Sequence, residues 1–216
     1  MSSLVIISSS SDPKKIIAKP FFNRTAELVA PDLIGCRLVK READGQIVWG
    51  VIVETEAYSQ IEPACHGYKR RTPANETLFG DPGRLYIYLT YGIYHCVNIV
   101  TDRKNFASGV LIRSIAIQGE NERIGSGPGL LAKRFGLTRS HDNMKLSIEQ
   151  GMWFEQNVAF PPKTKKICTT RVGISKAEDL QWRWYLQSSR SISKRAKGDP
   201  YPPRQKAWEP SKQDWP

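Results

Sequence analysis

The sequence is poor in cysteine, and the few cysteines present form no recognisable ligand pattern. Its four cysteines are widely spaced and include no C-x-x-C pair, which argues against a disulfide framework or a zinc ribbon. Two of them adjoin histidines, at Cys65-His66 and His95-Cys96, but neighbouring residues on a strand point to opposite faces, whereas a metal needs converging ligands. We therefore expect no metal and a reducing compartment; separately, nothing in the sequence implies an organic cofactor.

Long apolar runs are also absent. The N-terminal run Leu4–Ile7 is too short to span a membrane and has no basic flank ahead of it, so we expect an intracellular protein without a membrane segment. Residues 1–15 are expected to form a flexible leader. Five prolines and no apolar period from Ala196 onward predict a basic tail, 196–216, that is extended or disordered unless docked. Residues 16–195 are expected to form one domain, because 216 residues with 40% hydrophobic content can build a sizeable core.

Acidic residues are outnumbered by basic ones. The chain has 32 Lys and Arg against 21 Asp and Glu, which gives a formal net charge of +11. Most of the excess lies between residues 163 and 206. This balance favours a polyanionic partner, with nucleic acid as the first candidate. The alternative is that the basic stretch is only a solvated extension.

Carboxylates and aromatic rings concentrate in the middle of the chain. Asp44-Gly45 predicts a hairpin turn into a strand over Ile47–Tyr58. Along this strand Glu54, Glu56 and Tyr58 alternate with apolar residues, so they should share one face. One face of the strand is therefore predicted to be core, and the other polar and reactive.

A second hairpin is predicted downstream. Leu85–Thr90 and Ile93–Val100 alternate as strands, and Tyr91-Gly92 between them supplies a turn. This places Tyr91 at the hairpin tip. Tyr86 and Tyr94 are interpreted as core tyrosines. Further predicted elements are a helix over Ala26–Ile34 kinked or split at Pro31, strands over Cys36–Val39 and Val110–Ile117, a helix over Leu130–Phe135, late strand pieces at Gly151–Phe154 and Arg171–Ile174, and a segment Trp182–Tyr185 that packs on or caps the sheet.

In combination, these motifs resemble the alkyladenine (3-methyladenine) DNA glycosylase family. The similarity covers about Phe21–Tyr185, most of the chain. Its ordered motifs are Val53–Tyr58, His66, Arg71–Pro73, Tyr86–Gly92, Asn98, Val110–Arg113 and Ser126–Pro128. The resemblance implies a mixed α/β (α+β) fold: a single domain with a curved antiparallel β-sheet, surrounding helices and a protruding β-hairpin.

The resemblance also implies roles for individual residues. Glu56 is expected to be the general base that activates water, with Arg113 holding that water and the local charge. Around an extruded purine, Tyr58, His66 and Tyr88 are expected to line the pocket, and Asn98 is expected to act as a steric filter. Tyr91 is expected to be the wedge that fills the hole left in the duplex. Phosphate contacts are expected from Lys69, Arg70 and Arg71.

The implied reaction is hydrolysis of the N-glycosidic bond of alkylated or deaminated purines flipped out of duplex DNA. No lysine stands within the carboxylate or tyrosine motifs as a Schiff-base nucleophile, so a monofunctional enzyme that leaves an intact abasic site is expected. We expect a monomer without an obligate protein partner that acts at DNA. Glu54 is given no catalytic role.

Two other functions are compatible with the same residues. In a non-catalytic nucleic-acid binding module, the tyrosines would be stacking platforms and Glu56 a structural strand carboxylate. A hydrolase of RNA or free nucleosides would act without a duplex. Turnover on lesion-containing duplexes distinguishes the three.

Overall fold

One long strand organises the sheet of this protein. The computed structural model describes residues 16–156, 160 and 164–211, and the predicted leader, residues 1–15, lies outside them. The strands are β1 (Arg37–Arg41), β2 (Ile47–Ser59), β3 (Leu85–Thr90), β4 (Tyr94–Val100), β5 (Ser108–Ala116), β6 (Met152–Glu155), β7 (Lys166–Thr169) and β8 (Arg183–Leu186). Six of them lie in the order β3-β4-β5-β2-β1-β6, while β8 pairs with β2 and carries β7 on its other side. All the pairings are antiparallel within the described ranges, so the predicted α+β fold is confirmed.

Strand β2 changes partners along its length. On one side β1 pairs with Ile47–Val51, whereas β8 pairs with Glu54–Glu56. On the other side β5 pairs with β2 through register shifts between Ile52 and Thr55, which mark a bulge that bends the strand. The predicted carboxylate pair therefore lies at the bend, where two parts of the sheet meet.

Three α-helices in the described residues flank the sheet: α1 (Lys19–Phe22), α2 (Ala26–Leu33) and α3 (Pro128–Arg134). None of these helices has the length and apolar character needed to cross a bilayer. Short 3₁₀ turns lie at Glu76–Phe79, Arg139–His141 and Arg204–Lys206.

The predicted break at Pro31 does not occur as a split, because α2 is continuous. A proline inside a helix removes one backbone hydrogen bond, but tertiary contacts hold this last turn. Thr55 Oγ1 donates to the Ala30 carbonyl at 2.8 Å, and Lys166 Nζ donates to the Pro31 carbonyl at 2.7 Å. Packing against β2 therefore overrides the local signal.

Two late elements differ from the sequence prediction. The expected strand at Arg171–Ile174 is wrong, since this segment is a loop. The Val172 N–H donates to the Glu56 carboxylate instead of to a neighbouring strand. The Trp182–Tyr185 segment overlaps β8, which is a strand of the sheet itself.

The described part of the tail, residues 196–211, is docked on the domain. The Asp199 carboxylate accepts hydrogen bonds from the Tyr185 hydroxyl and from Gln187 Nε2, and it forms an ion pair of 2.7 Å with Arg195. Further along, Trp208 forms a bridge with Ser189. Contacts with Tyr185 of β8 and with the residues that follow it therefore hold this proline-rich segment against the domain.

Candidate active site

A cavity of about 330 Å³ opens between the β3–β4 hairpin, β5 and the loop after β7, within the size range of small-molecule sites. Aromatic rings form one wall, from Tyr58, His66 and Tyr88. Three further residues of the predicted site also line it: Tyr91, Asn98 and Arg113. These residues are far apart in sequence, and antiparallel pairing of β2, β3, β4 and β5 brings them together.

Glu56 lies directly behind the cavity wall. Its side chain is fully buried, and each of its described hydrogen-bond donors belongs to a residue that lines the cavity. Tyr58 donates through its hydroxyl to Oε2 at 2.8 Å, and Arg113 donates through Nη1 to the same oxygen at 3.2 Å. The Val172 N–H donates to Oε1 at 2.7 Å. A carboxylate offers about four acceptor positions, so one position on Oε1 has no donor among the described residues.

Burial sets the protonation behaviour of this cluster. Burial raises the pKa of Glu56 above its ordinary value, while Arg113, the Val172 N–H and the Tyr58 hydroxyl oppose this shift. Burial next to this carboxylate also raises the pKa of Tyr58, which therefore keeps its proton. A carboxylate with a raised pKa is a stronger base than one in water. The positive charge of Arg113 lies beside it.

Glu54, two residues before Glu56, is also fully buried but lies among structural partners. Its carboxylate accepts hydrogen bonds from Ser114 Oγ at 2.8 Å and from Arg183 Nη1 at 2.9 Å. Ser193 donates to it through both its backbone N–H, at 2.7 Å, and its hydroxyl, at 3.0 Å. Arg113 Nε lies 3.3 Å from Oε1. These partners fill the space around Glu54, which agrees with a structural role.

His66 is held in the aromatic wall by two tyrosines. Its Nδ1 is 2.9 Å from the Tyr86 hydroxyl, and its ring centroid is 4.5 Å from that of Tyr88. Burial lowers the pKa of His66, so the imidazole is neutral at neutral pH. Tyr86 is itself buried, as predicted. Asn98 is fixed beside this group, because its Nδ2 donates to the Tyr86 carbonyl at 3.0 Å.

The tip of the β3–β4 hairpin presents apolar side chains to solvent. Tyr91 is 83% exposed and has a positive φ of 51°, and Gly92 follows at 69°, as a tight hairpin turn requires. Leu89 and Ile93 are also exposed. The prediction of Tyr94 as a core residue is wrong, since it is 52% exposed at the first position of β4, where it packs beside α3.

The three side chains of the basic triplet Lys69–Arg71 differ in their contacts. Lys69 and Arg70 are exposed. The Arg71 guanidinium instead binds the Glu76 carboxylate and donates to Asn105 Oδ1 at 2.9 Å. Arg71 therefore holds the loop together, in addition to any contact with phosphate.

Sequence reasoning missed the loop that closes the cavity from the side opposite the hairpin. Arg171 forms two hydrogen bonds, of 2.7 and 2.9 Å, with the Glu62 carboxylate, and its guanidinium lies 4.7 Å from the Tyr58 ring centroid. This pairing fixes the adjacent Val172 N–H near Glu56. The partners are 109 residues apart, so no local spacing could have indicated it.

The cysteines and histidines of this region do not converge. In the part of the chain that the structure describes, no group of three His, Cys, Asp or Glu side chains is arranged to hold a metal ion. Cys65 points its thiol toward the Ala107 carbonyl, whereas His66 contacts Tyr86. Cys65 and His66 therefore contact different partners and do not form a shared ligand set.

The fold and site define a single-domain α+β protein with an aromatic-walled pocket beside a buried carboxylate, a class suited to holding a nucleobase. The family model for Methylpurine-DNA glycosylase (MPG) matches residues 20–190. The chain belongs to the methylpurine-DNA glycosylase family, and the resemblance noted from its motifs is confirmed.

Relatives match along nearly their full length. A protein from Trichodesmium erythraeum is 38% identical over 197 residues, which cover 83% of this chain and 98% of the relative. One from Synechococcus elongatus is 42% identical over 176 residues, covering 82% and 90%. One from Carboxydothermus hydrogenoformans is 35% identical over 192 residues, covering 83% and 100%. Each carries the name "Putative 3-methyladenine DNA glycosylase".

Proposed function

We propose that this protein is a monofunctional DNA glycosylase that removes alkylated or deaminated purines from duplex DNA. It flips the damaged nucleotide into the cavity, hydrolyses the N-glycosidic bond with an activated water and leaves an intact abasic site. Family membership and the names of the relatives support the DNA and alkylpurine parts of this proposal. Extrusion follows from the chemistry, because a stacked base cannot reach a general base inside a protein.

The observation that carries the proposal is the hydrogen-bonding of Glu56. Its bound donors line the cavity, and its remaining acceptor position lies on Oε1, the oxygen that the Val172 N–H already contacts. We propose that this position holds the water that attacks the sugar of a base bound in the cavity. Arg113 balances the charge of the carboxylate through Oε2. This is the arrangement that general-base activation of water needs.

The bond changes balance without a cofactor. The water oxygen bonds to C1′ of the deoxyribose as the bond from C1′ to the purine nitrogen breaks, and that electron pair leaves with the purine. Glu56 takes a proton from the water and stabilises the oxocarbenium-like transition state. A cationic alkylpurine leaves as a neutral base, so its release requires no proton donor. A neutral deaminated purine leaves as an anion, which takes up a proton after the bond has broken.

The aromatic wall favours the same substrates. Electron-rich rings bind cationic and planar groups, with stacking worth about 1–3 kcal/mol per base. His66 is neutral at neutral pH, so it does not repel a positively charged lesion. Asn98 is fixed at the cavity wall by its hydrogen bond to Tyr86 and limits which base edges fit beside it.

The exposed surface suits duplex binding. Tyr91 at the hairpin tip has the shape and exposure of a side chain that fills the gap left by an extruded base. Lys69 and Arg70 lie on a loop next to the His66 wall and can neutralise backbone phosphates. A single wedge serves a single lesion, so we propose that the protein acts as a monomer at DNA.

The test is release of free base from duplexes that carry one hypoxanthine or one alkylated purine, with alkali revealing abasic sites. Wild type should release base, and Glu56→Gln should lower the rate by a factor of about 10² to 10⁴, the usual contribution of general-base catalysis. Glu149→Gln, at an exposed acid away from the cavity, is the matched control and should match wild type.

Each alternative has its own outcome. Undiminished release by Glu56→Gln would remove Glu56 as the base. Lesion binding without any release by wild type would identify a binding module. Comparable release from free nucleosides would identify a nucleoside hydrolase.

A further inference from the structure

Ser193 binds both Glu54 and Arg113, the arginine that contacts the two buried carboxylates of β2. Its hydroxyl accepts hydrogen bonds from Arg113 Nε at 3.3 Å and from Arg113 Nη2 at 3.1 Å. The same hydroxyl donates to Glu54 Oε1 at 3.0 Å, and the Ser193 N–H donates to Oε2 at 2.7 Å. Arg113 keeps Nη1 for Glu56. The guanidinium is thus fixed at one edge so that its other edge meets the proposed base.

The segment that carries Ser193 is held in place from strand β8. Arg183 Nη1 donates both to Glu54 Oε1, at 2.9 Å, and to the Lys194 carbonyl, at 2.6 Å. The Ala196 N–H donates to the Tyr185 hydroxyl at 3.1 Å. One arginine therefore fixes both Glu54 and the backbone next to Ser193, which makes the hydroxyl a defined anchor.

We infer that Ser193 is a positioning residue for Glu56, acting through Arg113; the inference rests on the proposed function of this site. A guanidinium has five donors in a rigid fork, so fixing Nε and Nη2 also fixes the direction of Nη1. Ser193 lies beyond the residues matched by the family model, which end at residue 190. The active site therefore depends on the segment that enters the C-terminal tail.

The variant Ser193→Ala removes the anchor while keeping the backbone N–H to Glu54. Arg113 then loses the acceptor of Nη2 and keeps Glu54 Oε1, at 3.3 Å, as the partner of Nε. With one anchor fewer, it offsets the burial of Glu56 less effectively. The expected result is about a tenfold lower single-turnover rate of base release, with little change in the Kd for a lesion duplex. Ser193→Thr retains the hydroxyl and should restore the rate.

A titration distinguishes positioning from loss of structure. The carboxyl carbon of Glu56, followed by 13C NMR against pH, should titrate at a higher pH in Ser193→Ala than in wild type, and Ser193→Thr should return it. Ser191→Ala is the matched control, since among the described residues Ser191 is outside the hydrogen bonds of Glu54 and Arg113. The charged and titratable groups that face Glu56 are Arg113 on β5, Glu54 and Tyr58 on β2, Tyr88 on β3, Cys96 on β4 and Arg171 in the loop after β7.

The titration of Glu56 reports on the position of Arg113 whether or not the protein releases base. If wild type releases no base, the proposed function fails, and the Glu56 titration still decides the role of Ser193. A Ser193→Ala protein with an unchanged Glu56 titration would overturn the inference. Failure of a folded Ser193→Thr to restore the titration would also overturn it.

Discussion

Glu54 and Glu56 lie two residues apart on β2 and are both fully buried, but the regions around them differ. Behind Glu54 the space is filled by Arg183, Ser114 and Ser193, which meet the carboxylate with close hydrogen bonds. In front of Glu56 the donors belong to a cavity wall. The described neighbours of Glu54 therefore use all of its acceptor positions, whereas those of Glu56 leave one unused. This difference supports the proposal that Glu54 stabilises the fold and Glu56 activates water.

The largest expected effect is a difference in the free energy of unfolding between variants of Glu54 and Glu56. Glu54→Gln leaves Arg183 buried without its carboxylate, and breaking a buried ion pair costs about 3–5 kcal/mol. Glu56→Gln should change the free energy of unfolding far less, since Arg113, its ion-pair partner, keeps its contacts with Glu54 and Ser193. Urea unfolding of both variants at neutral pH measures the two differences. Equal losses would show that Glu56 is as structural as Glu54.

The second prediction concerns the hairpin tip, where Tyr91 is exposed, unlike the two buried carboxylates. Tyr91→Ser should weaken binding to a lesion duplex by about 5- to 150-fold, which corresponds to the 1–3 kcal/mol of one stacking contact. Extrusion, followed with a fluorescent base analogue, should fall in parallel. Tyr201→Ser, at another exposed tyrosine, is the control. Undiminished flipping by Tyr91→Ser would remove the wedge role.

A third prediction uses pH to separate catalysis from stability at Glu56. Its pKa is raised in the folded protein above the ordinary value of 4.5, so the folded state binds this proton more tightly than the unfolded chain does. Stability from this group is therefore present at low pH and is lost as pH rises from about 4.5 through the folded pKa. The rate of base release should rise over the same window, because the ionised form is the proposed general base.

Paired pH profiles of unfolding and base release measure these opposite slopes. Glu56→Gln should abolish this component of the stability profile. A stability difference between wild type and Glu56→Gln that rises with pH over this window would contradict the assignment, since it would require the ionised carboxylate to stabilise the fold.

The sequence predicted the strands around the site better than the contacts that complete it. Local alternation located β2 and the β3–β4 hairpin, and the ordered motifs located Glu56 and Arg113. The loop around Val172 was missed because its conformation follows from the ion pair between Arg171 and Glu62, two residues without any common local pattern. Ser193 was missed for the same reason, as the last serine of a serine-rich stretch gives no signal until Arg113 lies beside it.

The same limit explains the misassigned elements. Pro31 predicts a break from local sterics alone, whereas the contacts of α2 with β2 come from distant residues. Tyr94 reads as a core residue by alternation, but its place at the end of β4 leaves half of it exposed. Periodicity therefore predicts which residues alternate, and the ends and neighbours of each strand decide what covers them.

The smallest expected effect concerns the basic loop, where Arg71 differs from its neighbours as Glu54 differs from Glu56. Lys69→Ala and Arg70→Ala should each reduce the slope of log K against log salt by about one, because each exposed cation neutralises one phosphate. Arg71→Ala should change the slope less and lower the thermal stability instead, since its guanidinium binds Glu76 and Asn105. Fluorescence anisotropy with undamaged duplex from 50 to 200 mM salt, about the range over which such contacts are lost, measures the slopes. A full unit lost on changing Arg71 would show that this arginine leaves its loop partners when DNA binds.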